Sequence, residues 1–288
     1  MKTIGIIGFG FVGKAIQHGF AQATNFRIHD VNPNESINTF EEVMTESDVI
    51  FLCVPTPMDI VSGIQDLSIM DSVMEQCTKY TDGTDLVLVI KSTILPGTTD
   101  GYIEKYPNSR IVFNPEFLTE RTFRLDFINQ SRIVLGGAPE NTAKVEELYK
   151  ERFPTTPVFH CSSTAAELTK YAANCFFSVK ISFLNEIYQI CEALGTSYDE
   201  VIAMTLADGR IGNSHWTIPG HDGSKGFGGK CFPKDLNALI GCAEKLGIDP
   251  VVMKATWEKN MEVREVHDWL DIKGAVSGQD EIEEEDDD

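Results

Sequence analysis

Thr3-Ile4-Gly5-Ile6-Ile7-Gly8-Phe9-Gly10-Phe11-Val12-Gly13 opens the chain directly after Met1-Lys2. The apolar, β-branched run over 3–7 reads as a buried strand, and a helical pattern follows over about 12–23. Three glycines spaced G-x-G-x-x-G between a strand and a helix form a dinucleotide fingerprint. Gly8 permits the tight turn, Gly10 lets a pyrophosphate approach the backbone, and Gly13 lets helix pack on strand. Phe11 and Val12 carry the turn into the helix. A second strand is predicted over 26–30, and its last residue, Asp30, stands seventeen positions beyond Gly13. A carboxylate there hydrogen-bonds an adenosine ribose and repels a 2′-phosphate, which selects NAD over NADP. NAD is therefore the expected cofactor, held by Gly8, Gly10, Phe11, Val12, Gly13 and Asp30. The competing reading is a glycine-rich turn of some other α/β fold.

Working outward, apolar runs at 49–54, 86–90, 110–113, 132–135 and 158–160 predict further strands, with a helix over about 69–80. Strands alternating with helices predict βαβ units and an α/β domain with a Rossmann-type parallel sheet over 1–160. The character changes near 161. Thr164-Ala165-Ala166-Glu167 fits a capping box, no Gly or Pro follows until Gly195, and a long connecting helix is expected. Helices over about 198–206, 234–246 and 249–268 complete an all-helical second domain over 161–270, with a Gly-, His- and Asp-rich loop at 207–230. A long helix with a broad apolar face suggests a homodimer built through this domain.

The 288 residues are 42% apolar and 24% charged, as in a soluble globular protein. The formal charge is −20, and eight acids with no base stand within 280–288, so 271–288 reads as a disordered acidic tail. The acidity argues against nucleic acid or an anionic membrane as partner. No apolar run approaches the ~20 residues that span a bilayer. Seven scattered cysteines fit a reducing compartment, and a cytoplasmic protein is expected. No Cys/His spacing suggests a metal.

Several segments carry candidate chemistry. Val54-Pro55-Thr56-Pro57 and Lys91-Ser92-Thr93 follow strand ends, where open α/β sheets bind ligands. Val54, Pro55, Thr56 and Thr93 are cofactor candidates, Thr93 equally for substrate or water, and ordinary turn chemistry accounts for them as well. Asn114-Pro115-Glu116-Phe117-Leu118-Thr119-Glu120 sets two acids four residues apart after another strand. They serve as a general base or simply as acids at a helix start. Lys170 and Asn174 share a face of the long helix. Gly226-Phe227-Gly228-Gly229-Lys230-Cys231-Phe232-Pro233-Lys234-Asp235 places a cysteine between a glycine-rich loop and a helix start, where a thiolate is favoured. A buried structural cysteine beside a turn is the plainer alternative.

These segments, in this order across residues 4–235, resemble the UDP-glucose/GDP-mannose dehydrogenase family. The motifs are Gly8–Gly13, Pro55-Thr56-Pro57, Ser92-Thr93 with Pro96-Gly97-Thr98, Asn114-Pro115-Glu116-Phe117-Leu118, Glu167-Leu168-x-Lys170 with Asn174, Arg210-Ile211-Gly212, and Gly226–Asp235. The resemblance implies an NAD-dependent four-electron oxidation of a nucleotide-sugar C6 alcohol, UDP-glucose to UDP-glucuronate. Cys231 would form a thiohemiacetal and then a thioester. Lys170 and Asn174 would stabilise oxyanions, Thr93 and Asp235 would orient water or Lys170, and Glu116 or Glu120 would be the base. Phe117, Leu118, Arg210, Phe227, Gly228 and Gly229 would meet the sugar nucleotide. Arg121 departs from the family's glycine, and no strand–helix series follows 268 to make the third domain of longer members. Two other readings stand: a two-electron 3-hydroxyacid or 6-phosphogluconate-type dehydrogenase, which needs a lysine but no cysteine, and a non-catalytic NAD-binding protein. In the aromatic segment 212–222, Trp216 reads either as a ring stacked on the nucleotide or as a packed loop tip.

Overall fold

A computed structural model describes residues 2–21, 24–59, 64–212, 214–272 and 274–277. The described chain falls into two compact units, 1–56 with 67–170, and 57–66 with 171 onward. This division falls inside the long helix, and 57–66 groups with the second unit.

The first unit holds β1 (Thr3–Ile7), α1 (Phe11–Phe20), β2 (Asn25–His29), α2 (Phe40–Glu46), β3 (Val49–Leu52), α3 (Ser68–Cys77), β5 (Val87–Ile90), α4 (Thr98–Lys105), β6 (Arg110–Phe113), α5 (Phe123–Ile128), β7 (Ile133–Gly137), α6 (Pro139–Arg152) and β8 (Val158–Cys161). Strand β4 (Met58–Asp59) belongs to the second unit. The sheet order is β2-β1-β3-β5-β6-β7-β8. Side chains alternate along each strand because the strand period is two. Ile4, Ile6, Val49, Phe51, Val87 and Val89 pack on one face with α1 and α6, including Tyr149. Ile7, Ile50, Leu52, Leu88 and Ile90 pack on the other with Val43, Met70 and Met74 of α2 and α3. Burial on both faces is why these strands read as continuous apolar runs.

Two expectations change here. The sheet is mostly, not wholly, parallel: β7 runs antiparallel to β6, with Val112 opposite Gly137 and Phe113 opposite Gly136. An apolar run carries no sign of its direction. The structure also adds α2, α4, α5 and α6, short or strongly charged helices. α2 starts on a capping box in which Thr39 Oγ1 accepts from Glu42 N and Thr39 N donates to the Glu42 carboxylate.

The second unit begins within α7 (Ser163–Leu194) and continues through α8 (Tyr198–Leu206), α9 (Phe232–Lys245) and α10 (Val251–Val263). It is not all-helical. β9 (Val276–Ser277) pairs in parallel with β4, and Met58, Trp269, Ala275 and Val276 form a small core. Residues 271–277 therefore include ordered chain where a tail was expected, and the acidic run 280–288 lies outside the described residues. The capping box expected at 164–167 does not form. Thr164 instead donates to Asp100, and Glu167 accepts from Gly97 N, Thr99 N and Thr99 Oγ1 at the start of α4. Burial raises the Glu167 pKa, against those three hydrogen bonds.

Candidate active site

In the first unit, β1, β3, β5 and β6 run parallel, so the residues that follow them emerge at one edge of the sheet. β1 lies between β2 and β3; α1, which leads from β1 to β2, covers one face and α2, which leads from β2 to β3, covers the other. That reversal is the switch point at which α/β sheets open a crevice. Gly8 follows β1 with φ of 89°, and an added Cβ would lie 2.7 Å from Cys53 O. A Cβ on Gly13 would lie 2.4 Å from Gly8 O and 3.1 Å from Ile6 on the strand. Gly10 has nothing within 4 Å of its Cβ position. The first and third glycines are thus fixed by the chain's own packing, while the second faces open space, as pyrophosphate approach demands. Asp30 accepts from Phe9 N at 2.6 Å and from Asn32 N at 2.8 Å, which ties the acid to the glycine turn. These residues fit a dinucleotide.

Thr56 donates to Thr93 O at 2.7 Å, and Ser92 donates to Val54 O at 2.6 Å, so the loops after β3 and β5 are laced together. Pro55 is exposed, while Val54 and Thr56 are buried. Beyond β6, Glu116 is buried. Its Oε1 accepts from Lys170 Nζ at 2.8 Å and its Oε2 from Leu118 N at 2.6 Å. Glu120 stands exposed on the turn after it. Phe117 lies under the Arg132 guanidinium, 3.8 Å from its ring centroid, and Leu118 packs on the sheet core.

Sequence reasoning missed Lys91. It is 3% exposed and donates to Asn114 Oδ1 at 2.9 Å and Pro115 O at 3.1 Å, while Tyr149 donates to the same Asn114 oxygen. Burial pushes its pKa down to about 8, with Lys170 lowering it further and Glu116 and Cys53 opposing. The available signal was a lysine directly after the apolar run of β5.

In the second unit, Cys231 is the N-cap residue of α9, a helix of 14 residues. The helix begins two residues earlier than expected, which sets the thiol at the positive end of the helix dipole. Lys234 and Asn174 both donate to Asp235, each at 2.6 Å, and all three are buried. The expected free hand of Asp235 toward a water or Lys170 is therefore shared with these two partners. Arg210 has an 86% exposed side chain paired with Asp208. Phe227, expected against the substrate, is 2% exposed and packs on Cys175 and Leu236, because the loop turns its ring into the core. Its N–H and C=O are both taken by Asn260. Gly226 and Gly228 are filled by neighbouring side chains of this unit, and only Gly229 of the three faces open space. Trp216 packs on the core around Leu184, Tyr198 and Ile202, as a loop tip. No group of three or more His, Cys, Asp or Glu side chains able to hold a metal occurs among the described residues. Among them, too, no helix is long and apolar enough to cross a membrane.

A dinucleotide-type α/β unit followed by a helical unit with a cysteine at a helix N-terminus defines a class of NAD-linked dehydrogenase folds. Residues 29–153 match the NAD binding domain, and 164–262 the central domain, of the UDP-glucose/GDP-mannose dehydrogenase family. The chain belongs to that family. The fingerprint at 8–13 precedes the matched span and stands on its own geometry.

The chain is 33% identical over 250 residues to UDP-glucose 6-dehydrogenase TuaD of Bacillus subtilis, covering 84% of this chain and 52% of that protein. It is similar to the solved structure of a UDP-glucose dehydrogenase from Pyrobaculum islandicum, with TM-score 0.80 and 28% identity, covering 91% of this chain and 68% of that one. The fold also matches Mycobacterium tuberculosis 3-hydroxyisobutyrate dehydrogenase, with TM-score 0.69 and 16% identity, covering 91% of this chain and 93% of that one. The chain spans about half the length of the curated relatives it matches.

Proposed function

We propose that the chain oxidises the C6 alcohol of a nucleotide sugar, UDP-glucose, to the carboxylate in two NAD-dependent steps. The observation that carries this reading over a two-electron dehydrogenase is Cys231 at the N-terminus of α9, since only a thioester route needs a nucleophilic thiol. NAD held by Gly8, Gly10, Gly13 and Asp30 supplies the hydride acceptor for both oxidations. Lys170, buried and charge-paired with Glu116, offers an ammonium to the oxygen that gains negative charge as the alcohol is oxidised. Asn174 offers an amide N–H to the same oxygen, from a position held by Asp235. Cys231 adds as thiolate to the aldehyde carbon, forming a C–S bond, and oxidation of that adduct leaves a thioester. Glu116 takes a proton from water, which attacks the thioester carbonyl; the C–S bond breaks, the carboxylate leaves and the thiol is restored. Thr93 holds the water.

The helical unit also supports a homodimer. Phe176, Phe183 and Ile190 of α7 are exposed and spaced seven apart, so they form one stripe along the helix.

NADH yield per limiting UDP-glucose tests the reading, with Cys231→Ser beside the parent chain. Two NADH per sugar, lost or halved in the variant, is expected. One NADH per sugar, unaffected by the substitution, would favour the two-electron reading. NAD binding in calorimetry without sugar-nucleotide binding would favour the non-catalytic one.

A further inference from the structure

The loop before Cys231 is held by a single buried guanidinium. Arg264, just past the end of α10, is 3% exposed, and each of its three nitrogens is engaged. Nε donates to Val266 O at 2.8 Å, and Nη1 to Lys225 O at 3.4 Å. Nη2 donates to both Asp222 Oδ2 and Asp268 Oδ1, each at 2.8 Å. The two aspartates grip the loop on either side of its glycines. Asp222 Oδ1 accepts from Ser224 N at 3.1 Å, and Asp268 Oδ2 accepts from Gly229 N at 3.0 Å, two residues before Cys231. One turn back on α10, Asn260 takes both backbone groups of Phe227.

The glycines complete this clamp. A Cβ on Gly228 would lie 2.2 Å from Arg264 Nη2 and 2.2 Å from Asp268 Oδ1, and one on Gly226 would lie 2.3 Å from Asn260 Oδ1. Those glycines leave room for the clamp. A buried cation facing two acids, with Nε and Nη1 each on a carbonyl, fixes a backbone more rigidly than a turn alone. A lysine cannot reproduce it, because four acceptors in different directions need the planar fork.

We propose that Arg264, acting through Asp222 and Asp268, is a positioning residue that sets the backbone from Lys225 to Gly229 and thereby places the Cys231 thiol. The proposal rests on the reading of Cys231 as nucleophile for its catalytic consequence, but the position of the thiol can be read without turnover. Iodoacetamide alkylation of Cys231 is measured by peptide mass spectrometry against Cys242, a half-buried cysteine farther along α9, as internal reference. In Arg264→Lys and in Asp268→Asn, the Cys231-to-Cys242 rate ratio changes roughly tenfold, since a displaced thiol changes both its exposure and its place at the helix N-terminus, which together set its reactivity. With UDP-glucose, kcat falls by a similar factor while KM stays within about twofold. General loosening of the unit would raise both alkylation rates together and leave the ratio unchanged. An unchanged ratio in a folded Arg264→Lys or Asp268→Asn protein overturns the proposal. If Arg264→Lys does not fold, Asp268→Asn, which removes one charge and keeps an acceptor for Gly229 N, decides alone. Absence of turnover in the parent chain bears on the proposed activity and leaves the ratio test standing.

Discussion

Replacing Lys91 with Met removes a buried ammonium while keeping an unbranched chain of similar length. Lys91 faces Glu116, Cys53 and Lys170, and burial holds its pKa at about 8 against an ordinary 10.5. Below pH 8 both the folded and the unfolded chain hold the proton, and the folded state bears the full cost of the buried charge. Between about 8 and 10.5 the unfolded lysine keeps its proton and the folded one has lost it, so stability rises with pH through that window. A shift of this size corresponds to about 3 kcal/mol between its two limits. The variant lacks that rise. It also loses the hydrogen bonds to Asn114 and Pro115, an offset of about 1–3 kcal/mol that does not depend on pH. Urea unfolding followed by circular dichroism at pH 7, 8, 9 and 10 gives the difference between parent and variant at each pH. The parent's advantage should grow by about 2–3 kcal/mol from pH 7 to 10. An advantage that is flat, or that shrinks as pH rises, refutes the assignment of a buried, destabilised charge to Lys91.

Two further outcomes follow from the glycine turn and from α7. Gly10→Ala should leave the melting temperature of the ligand-free protein unchanged and weaken NAD binding by roughly tenfold or more in calorimetry, because its Cβ meets open space where pyrophosphate approaches. Gly13→Ala should instead lower the melting temperature, since its Cβ meets the Gly8 carbonyl; equal behaviour of the two variants would contradict the division of roles. Phe183→Glu places a charge in the middle of the exposed stripe of α7, and sedimentation should show a dimer for the parent and a monomer for the variant; a parent that sediments as a monomer removes the dimer reading.

Much of the fold was legible because periodicity and punctuation are local. The strands at 3–7 and 110–113 have the predicted bounds, and α7 ends at Leu194 before Gly195 as predicted. Of the helices that escaped, α4 has its start in a distant partner. α4 is capped by Glu167, sixty-eight residues from Thr99, and no local pattern announces that. The same acid looked like half of a capping box because spacing alone cannot say which N–H groups a carboxylate will face. Glu116 and Glu120 were equivalent in sequence, and burial separated them. Phe227 was expected at the sugar nucleotide from the family resemblance alone, and its ring direction follows from the packing of Cys175 and Leu236.

The sequence by itself determined the strand–glycine–helix opening, the acid at Asp30, the order of the motifs and the cysteine ahead of a helix, all of which depend on neighbours within a few residues. Only the tertiary structure decided that Lys91 is buried, that Lys170 pairs with Glu116, that Asn174 and Lys234 share Asp235, and that Arg264 holds the loop before Cys231. Each of these is a meeting of polar groups, most of them far apart in the chain, inside a region that excludes water. Burial makes such groups find partners, and which partner each one finds is set by the packing of whole elements.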